Sequence, residues 1–313
     1  MECSRWLRRL GPAPAGDGAE PAARVVCFPH AGGGAAVFRP LAKAVAAAAA
    51  EAGTGPYEVL AVRYPGRHDR LHEERLEDLR ELAGRACRGL QPLTGRQPLV
   101  LLGHSMGALI AYEVTRLLER AGAGRPVRLV VSGAWAPSRV RGGTVHLRDD
   151  DGLIEEIRRT GGTDPRVLED RELLAMALPV VRSDYRAVET YRHRPGPPLT
   201  TPVTALVGDA DPLVTVDEAA AWRAHTAGDF RLRVFPGGDH FYLTRHWPDL
   251  ARAVVAAPDR QVSEGQVSER QLSDRQVSGR QGAVRPAGPG LLRGAQGRER
   301  QQAAGPARLQ QVR

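Results

Sequence analysis

Cysteine is scarce in this chain. Cys3, Cys27 and Cys87 are too few and too scattered for a disulfide framework or a zinc site. Cys27, inside Val25-Val26-Cys27-Phe28, reads as a small core residue. Long apolar runs are also missing: nothing approaches the roughly 18 consecutive apolar residues that a membrane-spanning helix needs. The opening stretch, Met1 to Leu10, is basic but has no apolar segment of the kind a secretory signal carries. A reduced cytoplasmic setting is expected, with no membrane partner. Lysine is nearly absent, Lys43 being the one lysine among 44 basic residues. With so much alanine beside it, that is coding bias from a G+C-rich genome.

The net charge of +8 would suit a polyanion partner, but its distribution does not. Residues 258–313 carry ten Arg against five Asp and Glu, so five of the eight charges lie there and residues 1–257 hold only +3. That tail has no aromatic residue to stack on a base, so nucleic acid is not expected as a partner. It repeats every five residues, as in Arg260-Gln261-Val262-Ser263-Glu264 and Arg270-Gln271-Leu272-Ser273-Asp274. A five-residue period builds neither a helical stripe nor a strand face, so disorder is expected over 258–313. Residues 1–22, rich in Gly, Pro and Ala, read as a loose leader. Between them, residues 23–257 are long enough for one large core.

Within that body, apolar strands alternate with helical patterns. Strands are expected at Arg24–Phe28, Glu58–Val62, from Leu99, at Val127–Ser132, Val203–Val207 and Leu232–Phe235. Helices are expected at Phe38–Ala50, Leu76–Leu90, Asp217–His225 and at the end of the body. The alternation predicts a mostly parallel central sheet with helices on both faces. It breaks at about 145–195, where two or three helical segments follow one another and Pro179 interrupts the longest. A helical insertion there is placed to form a lid.

Leu99-Val100-Leu101-Leu102 is an unbroken apolar strand that runs into Gly103-His104-Ser105-Met106-Gly107 and straight on into a helix. Such a turn strains its middle residue, and its flanking glycines leave room for neighbouring backbone. Ser105 is thus expected as a nucleophile at a strand-to-helix elbow. A serine hydroxyl needs a base, and the base needs an acid to orient it. In α/β-hydrolases the chain order is Ser, then Asp or Glu, then His. Of His225, His240 and His246, His240 is preferred because it sits on a Gly-rich loop directly after the last strand. Asp209 and Asp211 both follow Val203–Val207. Asp211, extended before Pro212, is preferred, while Asp209 can satisfy backbone N–H groups in its own turn. Asp239 reads as a turn residue. The oxyanion donors are expected to be the backbone N–H of Met106 and that of Ala31, with Gly32 close behind, in the glycine-rich turn after Phe28. No phosphate-cradling glycine motif is present, and neither metal nor cofactor is expected.

These segments together resemble the type II, stand-alone thioesterases of polyketide and non-ribosomal peptide assembly lines. The resemblance is carried by Phe28-Pro29-His30-Ala31-Gly32-Gly33, Tyr64-Pro65-Gly66-Arg67, Gly103-His104-Ser105-Met106-Gly107-Ala108, Gly208-Asp209-Ala210-Asp211-Pro212-Leu213-Val214 and Phe235-Pro236-Gly237-Gly238-Asp239-His240-Phe241. It spans about residues 24–257. Asp239 departs from it, since the family more often reads Gly-Gly-His. The resemblance implies an α/β-hydrolase fold with a helical lid insertion and Ser105, Asp211 and His240 as the triad. It also implies hydrolysis of acyl groups from the phosphopantetheine thiol of acyl or peptidyl carrier proteins. A general carboxylesterase or acyltransferase on the same triad is the alternative. The enzyme is expected to work as a monomer, with the lid and an Arg-rich surface meeting an acidic carrier protein.

Overall fold

The computed structural model describes residues 5–12, 20–122, 124–139, 142–163 and 165–255. The expected disorder of 258–313 lies outside them. Seven strands form one sheet: β1 (Leu7–Arg9), β2 (Ala23–Phe28), β3 (Tyr57–Val62), β4 (Leu99–His104), β5 (Arg128–Ser132), β6 (Val203–Gly208) and β7 (Phe230–Phe235). Their spatial order is β1-β3-β2-β4-β5-β6-β7. Every pairing is parallel except that of β1, which runs antiparallel along β3 with Leu7 opposite Val62 and Arg9 opposite Leu60.

The expectation of a loose leader over 1–22 is corrected by β1 for residues 5–12; residues 1–4 and 13–19 lie outside the described residues. Leu7 is buried, the Arg70 guanidinium lies over the Trp6 ring, and Arg9 Nε donates to Glu58 Oε1 at 2.8 Å. Three residues among Arg, Gly and Pro carry no periodic signal, so only the partner strand makes this segment legible.

The helices arise where local chemistry allows. α1 (Arg39–Ala52) starts with Pro40 in its first turn and stops at Gly53 in the left-handed region. α2 (Leu79–Leu90) is capped by the Asp78 carboxylate, which accepts from Glu81 N–H at 2.9 Å. α3 (Met106–Ala121) follows β4 without a linker beyond Ser105. α7 (Val216–Ala220), begun by a Thr215/Glu218 capping box, tightens into a 3₁₀ turn over Ala221–His225, and α8 (Trp247–Val255) closes the described chain.

Strand alternation splits the core in two. Val26 and Phe28 of β2 and Leu99 and Leu101 of β4 pack with α2 and α3. Val25, Cys27, Val100 and Leu102 point the other way, towards α1 and α8.

Between β5 and β6 the insertion folds as α4 (Asp150–Thr160), α5 (Pro165–Glu169) and α6 (Arg171–Glu189). Asp149 and Asp170 cap α4 and α6. Here the expected interruption does not occur: α6 continues through Pro179. Proline removes one helix hydrogen bond, and the neighbouring Leu178, Val180 and Val181, all buried, hold the helix together across that gap. Leu153, Ile157, Leu178 and Val181 give the insertion its own small core.

Candidate active site

Loops at the carboxyl ends of the six parallel strands meet on one side of the sheet, where open α/β sheets bind ligands. β4 delivers Ser105, whose backbone sits at φ 54 and ψ −121. A Cβ on Gly103 would lie 2.2 Å from Gly107 O, and one on Gly107 would lie 2.0 Å from Phe28 O, so both positions admit only glycine. The strain is held from outside the turn: Ser105 N–H donates to Ser132 O of β5 at 2.8 Å.

The loop after β6 delivers Asp211 and the loop after β7 delivers His240; both side chains are buried. His240 Nδ1 lies 2.9 Å from Asp211 Oδ2, and His240 Nε2 lies 3.1 Å from Ser105 Oγ. The other Asp211 oxygen, Oδ1, accepts from Leu213 N–H at 2.8 Å and Val214 N–H at 3.3 Å. Its two oxygens therefore have separate duties, one fixing the carboxylate and the other facing the imidazole. Asp209 instead accepts from Gly237 N–H at 2.6 Å, tying the two loops together. Asp239 is exposed and pairs with Arg245 at 3.1 Å, so the extra residue bulges outward while His240 reaches both partners. His225 and His246 lie elsewhere: His225 bonds Tyr112 and Ser138, and His246 bonds Asp249.

Ala31 and Met106 border the same cavity as Ser105 and His240, and among the described residues neither backbone N–H has a protein acceptor. Gly32 N–H is committed, donating to Asp184 Oδ2 at 2.7 Å. Of the two turn amides considered, only that of Ala31 is free to meet a ligand.

Two further histidines flank His240. The His104 ring centroid is 5.1 Å from that of His240, and His30 stands edge-on to His104 at 5.8 Å. Burial pushes the His30 pKa from 6.5 down to about 3, helped by the nearby charges of His240 and Arg67. Burial also drives His104 well below its ordinary range, assisted by His240 and His30, against a hydrogen bond to Ser132 O. Both rings stay neutral beside His240, so an imidazolium forming there meets no second positive ring.

The cavity holds about 650 Å³. The insertion supplies much of its wall through Ile157, Leu168, Leu174, Val181 and Val188, with Met106, Trp135 and Phe241 from the body. Leu174, Ala177, Val181 and Val188 lie on one stripe of α6. Such a wall suits an apolar acyl group. Among the described residues no group of three His, Cys, Asp or Glu is placed to hold a metal ion, and no helix is long and apolar enough to cross a membrane.

The thioesterase-domain family matches residues 23–257. The chain belongs to that family. The thioesterase is 47% identical over 259 residues to the probable cadicidin biosynthesis thioesterase of Streptomyces griseus, covering 82% of this chain and 67% of that one. It is 43% identical to thioesterase PikA5 of Streptomyces venezuelae, covering 84% and 91%. Its fold is similar to that of the type II thioesterase BorB from the borrelidin biosynthetic cluster, with a TM-score of 0.71 and 45% identity over 81% of this chain and 98% of that one. RedJ, from the prodiginine pathway of Streptomyces coelicolor, gives 0.67 and 37% over 77% and 96%.

Sequence reasoning missed Asp184, although an acidic residue on the apolar stripe of α6 is a visible signal. It also gave Arg67 no role, though its motif stood out. The flanking of His240 by His30 and His104 had no signal, because residues 30, 104 and 240 meet only through the sheet.

Proposed function

We propose that this thioesterase hydrolyses acyl groups from the phosphopantetheine thiol of carrier proteins in polyketide or non-ribosomal peptide synthesis, through an acyl-enzyme on Ser105. The observation that carries the chemistry is the hydrogen-bonded series Ser105–His240–Asp211 opening on an apolar cavity. In this reading His240 Nε2 takes the hydroxyl proton as Ser105 Oγ attacks the thioester carbonyl. The oxyanion is held by the Ala31 and Met106 N–H groups. His240 gives its proton to the departing thiol; it then takes one from the water that attacks the acyl-enzyme and passes it to Ser105 Oγ as the acid leaves. Asp211 Oδ2 accepts the Nδ1–H, fixing the tautomer that leaves Nε2 free to act as base.

The carrier-bound substrate is supported by the names of two similar proteins, a probable cadicidin biosynthesis thioesterase and a type II thioesterase from the borrelidin biosynthetic cluster. The proposed partner is an acyl or peptidyl carrier protein, met by the insertion. The test compares one acyl group on a carrier protein with the same group as an oxyester. Preference for the carrier-bound thioester supports the proposal; equal rates leave a general esterase.

A further inference from the structure

Helix α6 does more than wall the cavity. Its Asp184 is wholly buried and forms a two-pronged ion pair with Arg67, 117 positions away: Nη1 to Oδ2 at 2.7 Å and Nη2 to Oδ1 at 2.6 Å. Neither residue borders the cavity. Asp184 Oδ2 also accepts the Gly32 N–H at 2.7 Å, and Arg67 Nη1 donates to Gly33 O at 3.2 Å. At the start of the same turn Tyr64 OH donates to Pro29 O at 3.3 Å, with the Arg67 guanidinium over the Tyr64 ring at 5.1 Å. The turn is gripped on both sides of Ala31, whose own N–H is left free. Gly32 is pressed against the helix: it has φ +75, and a Cβ there would lie 2.8 Å from Val181 Cγ2.

A buried ion pair is a poor device for stability alone, since an apolar pair of similar volume commonly does as well or better. What an apolar pair cannot do is accept the Gly32 N–H. We propose that Asp184, oriented by Arg67, is a positioning residue for the oxyanion turn. It fixes the Gly32 peptide and so aims the Ala31 N–H at the developing oxyanion, making the helical insertion part of the catalytic geometry. The proposal rests on the reading of Ala31 as an oxyanion donor and goes beyond it by naming what holds that donor in place.

The deciding variant is Arg67→Met/Asp184→Leu, which removes both charges together and strands neither. Losing one oxyanion donor outright costs about 10²–10³-fold in kcat, so a misaimed donor should cost about 10–100-fold. Thermal unfolding sets a working temperature well below every melting point. At that temperature the double variant is expected to lose about 10–100-fold in kcat on an acyl thioester with KM within about threefold, because the cavity wall is intact. Phosphonylation of Ser105 by a fluorophosphonate, whose phosphoryl oxygen occupies the same hole, should slow in parallel. A folded double variant with parental kcat and parental labelling would overturn the proposal.

Should that variant not fold, Asp184→Asn decides. Its amide has one uncharged acceptor for three donors and turns an NH₂ on Arg67 or on Gly32, so the Gly32 peptide is held less firmly and kcat should fall about tenfold at constant KM; an unchanged kcat overturns the proposal. If the parent protein neither labels nor hydrolyses acyl thioesters, the catalytic reading itself fails, and the positioning role falls with it. Labelling of the parent thus separates the two failures.

Discussion

Asp211→Asn should nearly abolish turnover while leaving the fold intact, and the hydrogen bonds around Asp211 say why. Oδ1 accepts two backbone N–H groups, from Leu213 and Val214, while Oδ2 faces His240 Nδ1. An amide has one acceptor and one donor end. Two N–H groups at one position demand the acceptor there, so the carbonyl must take the Oδ1 place and the NH₂ must face the imidazole. Reversing the amide would set NH₂ against two N–H donors and forfeit both hydrogen bonds, at about 1 kcal/mol each before repulsion. With a donor opposite Nδ1, His240 carries its proton on Nε2, which then cannot accept one from Ser105. The equivalent tautomer trap in a serine protease costs about 10⁴-fold in kcat, or about 5.5 kcal/mol of barrier. The same loss is expected here, read as steady-state kcat on an acyl thioester, with fluorophosphonate labelling slowed alongside and the melting temperature close to parental. A kcat within about tenfold of the parent would refute the assignment of Asp211 as the orienting acid.

Three more outcomes follow from the structure. His30, with its pKa lowered to about 3, and His104, also lowered, bind protons in the unfolded chain below about pH 6.5 but not in the fold. Their neutral burial is fully tolerated above pH 6.5 and costs stability as the pH falls towards 3. At pH 5 His30 alone accounts for about 2 kcal/mol, so denaturant unfolding should show a clear loss between pH 7.5 and 5; equal stability at both refutes this. Gly32→Ala meets Val181 and requires a left-handed alanine, so it should cost about 1–3 kcal/mol in thermal unfolding, part of which Val181→Ala restores. If arginines around the insertion meet an acidic carrier, turnover of carrier-bound substrate should fall as salt rises from about 50 to 500 mM while turnover of a small thioester holds; parallel curves would remove the electrostatic part.

The residues legible in the sequence were those whose chemistry is local. Gly103-His104-Ser105-Met106-Gly107 declares its turn through glycines that the structure shows pressed against Gly107 and Phe28 backbone. Asp211 and His240 follow apolar strands, and chain order narrows the choice. Asp209 and Asp211 could be ranked only by Pro212, and the separation of their duties depends on where Gly237 and Leu213 lie in space. Features made by distant pairing were not legible. β1 is three residues that become a strand only against Leu60–Val62. Pro179 signals a break that the packed apolar neighbours in α6 override. β7 begins at Phe230, two residues before the expected Leu232; on this edge strand Phe230 and Leu232 are only half-buried between exposed Arg231 and Arg233, which leaves a weak apolar signal. The Arg67–Asp184 pair spans two loops and the insertion, so neither residue announces the other.

The proposed activity has Ser105, His240 and Asp211 serve a carrier-bound thioester. It is tested most directly by loading one short acyl group on the phosphopantetheine arm of a carrier protein and measuring kcat/KM beside the same group as a simple oxyester. A strong preference for the carrier-bound thioester is expected, with turnover abolished by Ser105→Ala. Equal or reversed rates, or turnover that survives Ser105→Ala, would contradict it.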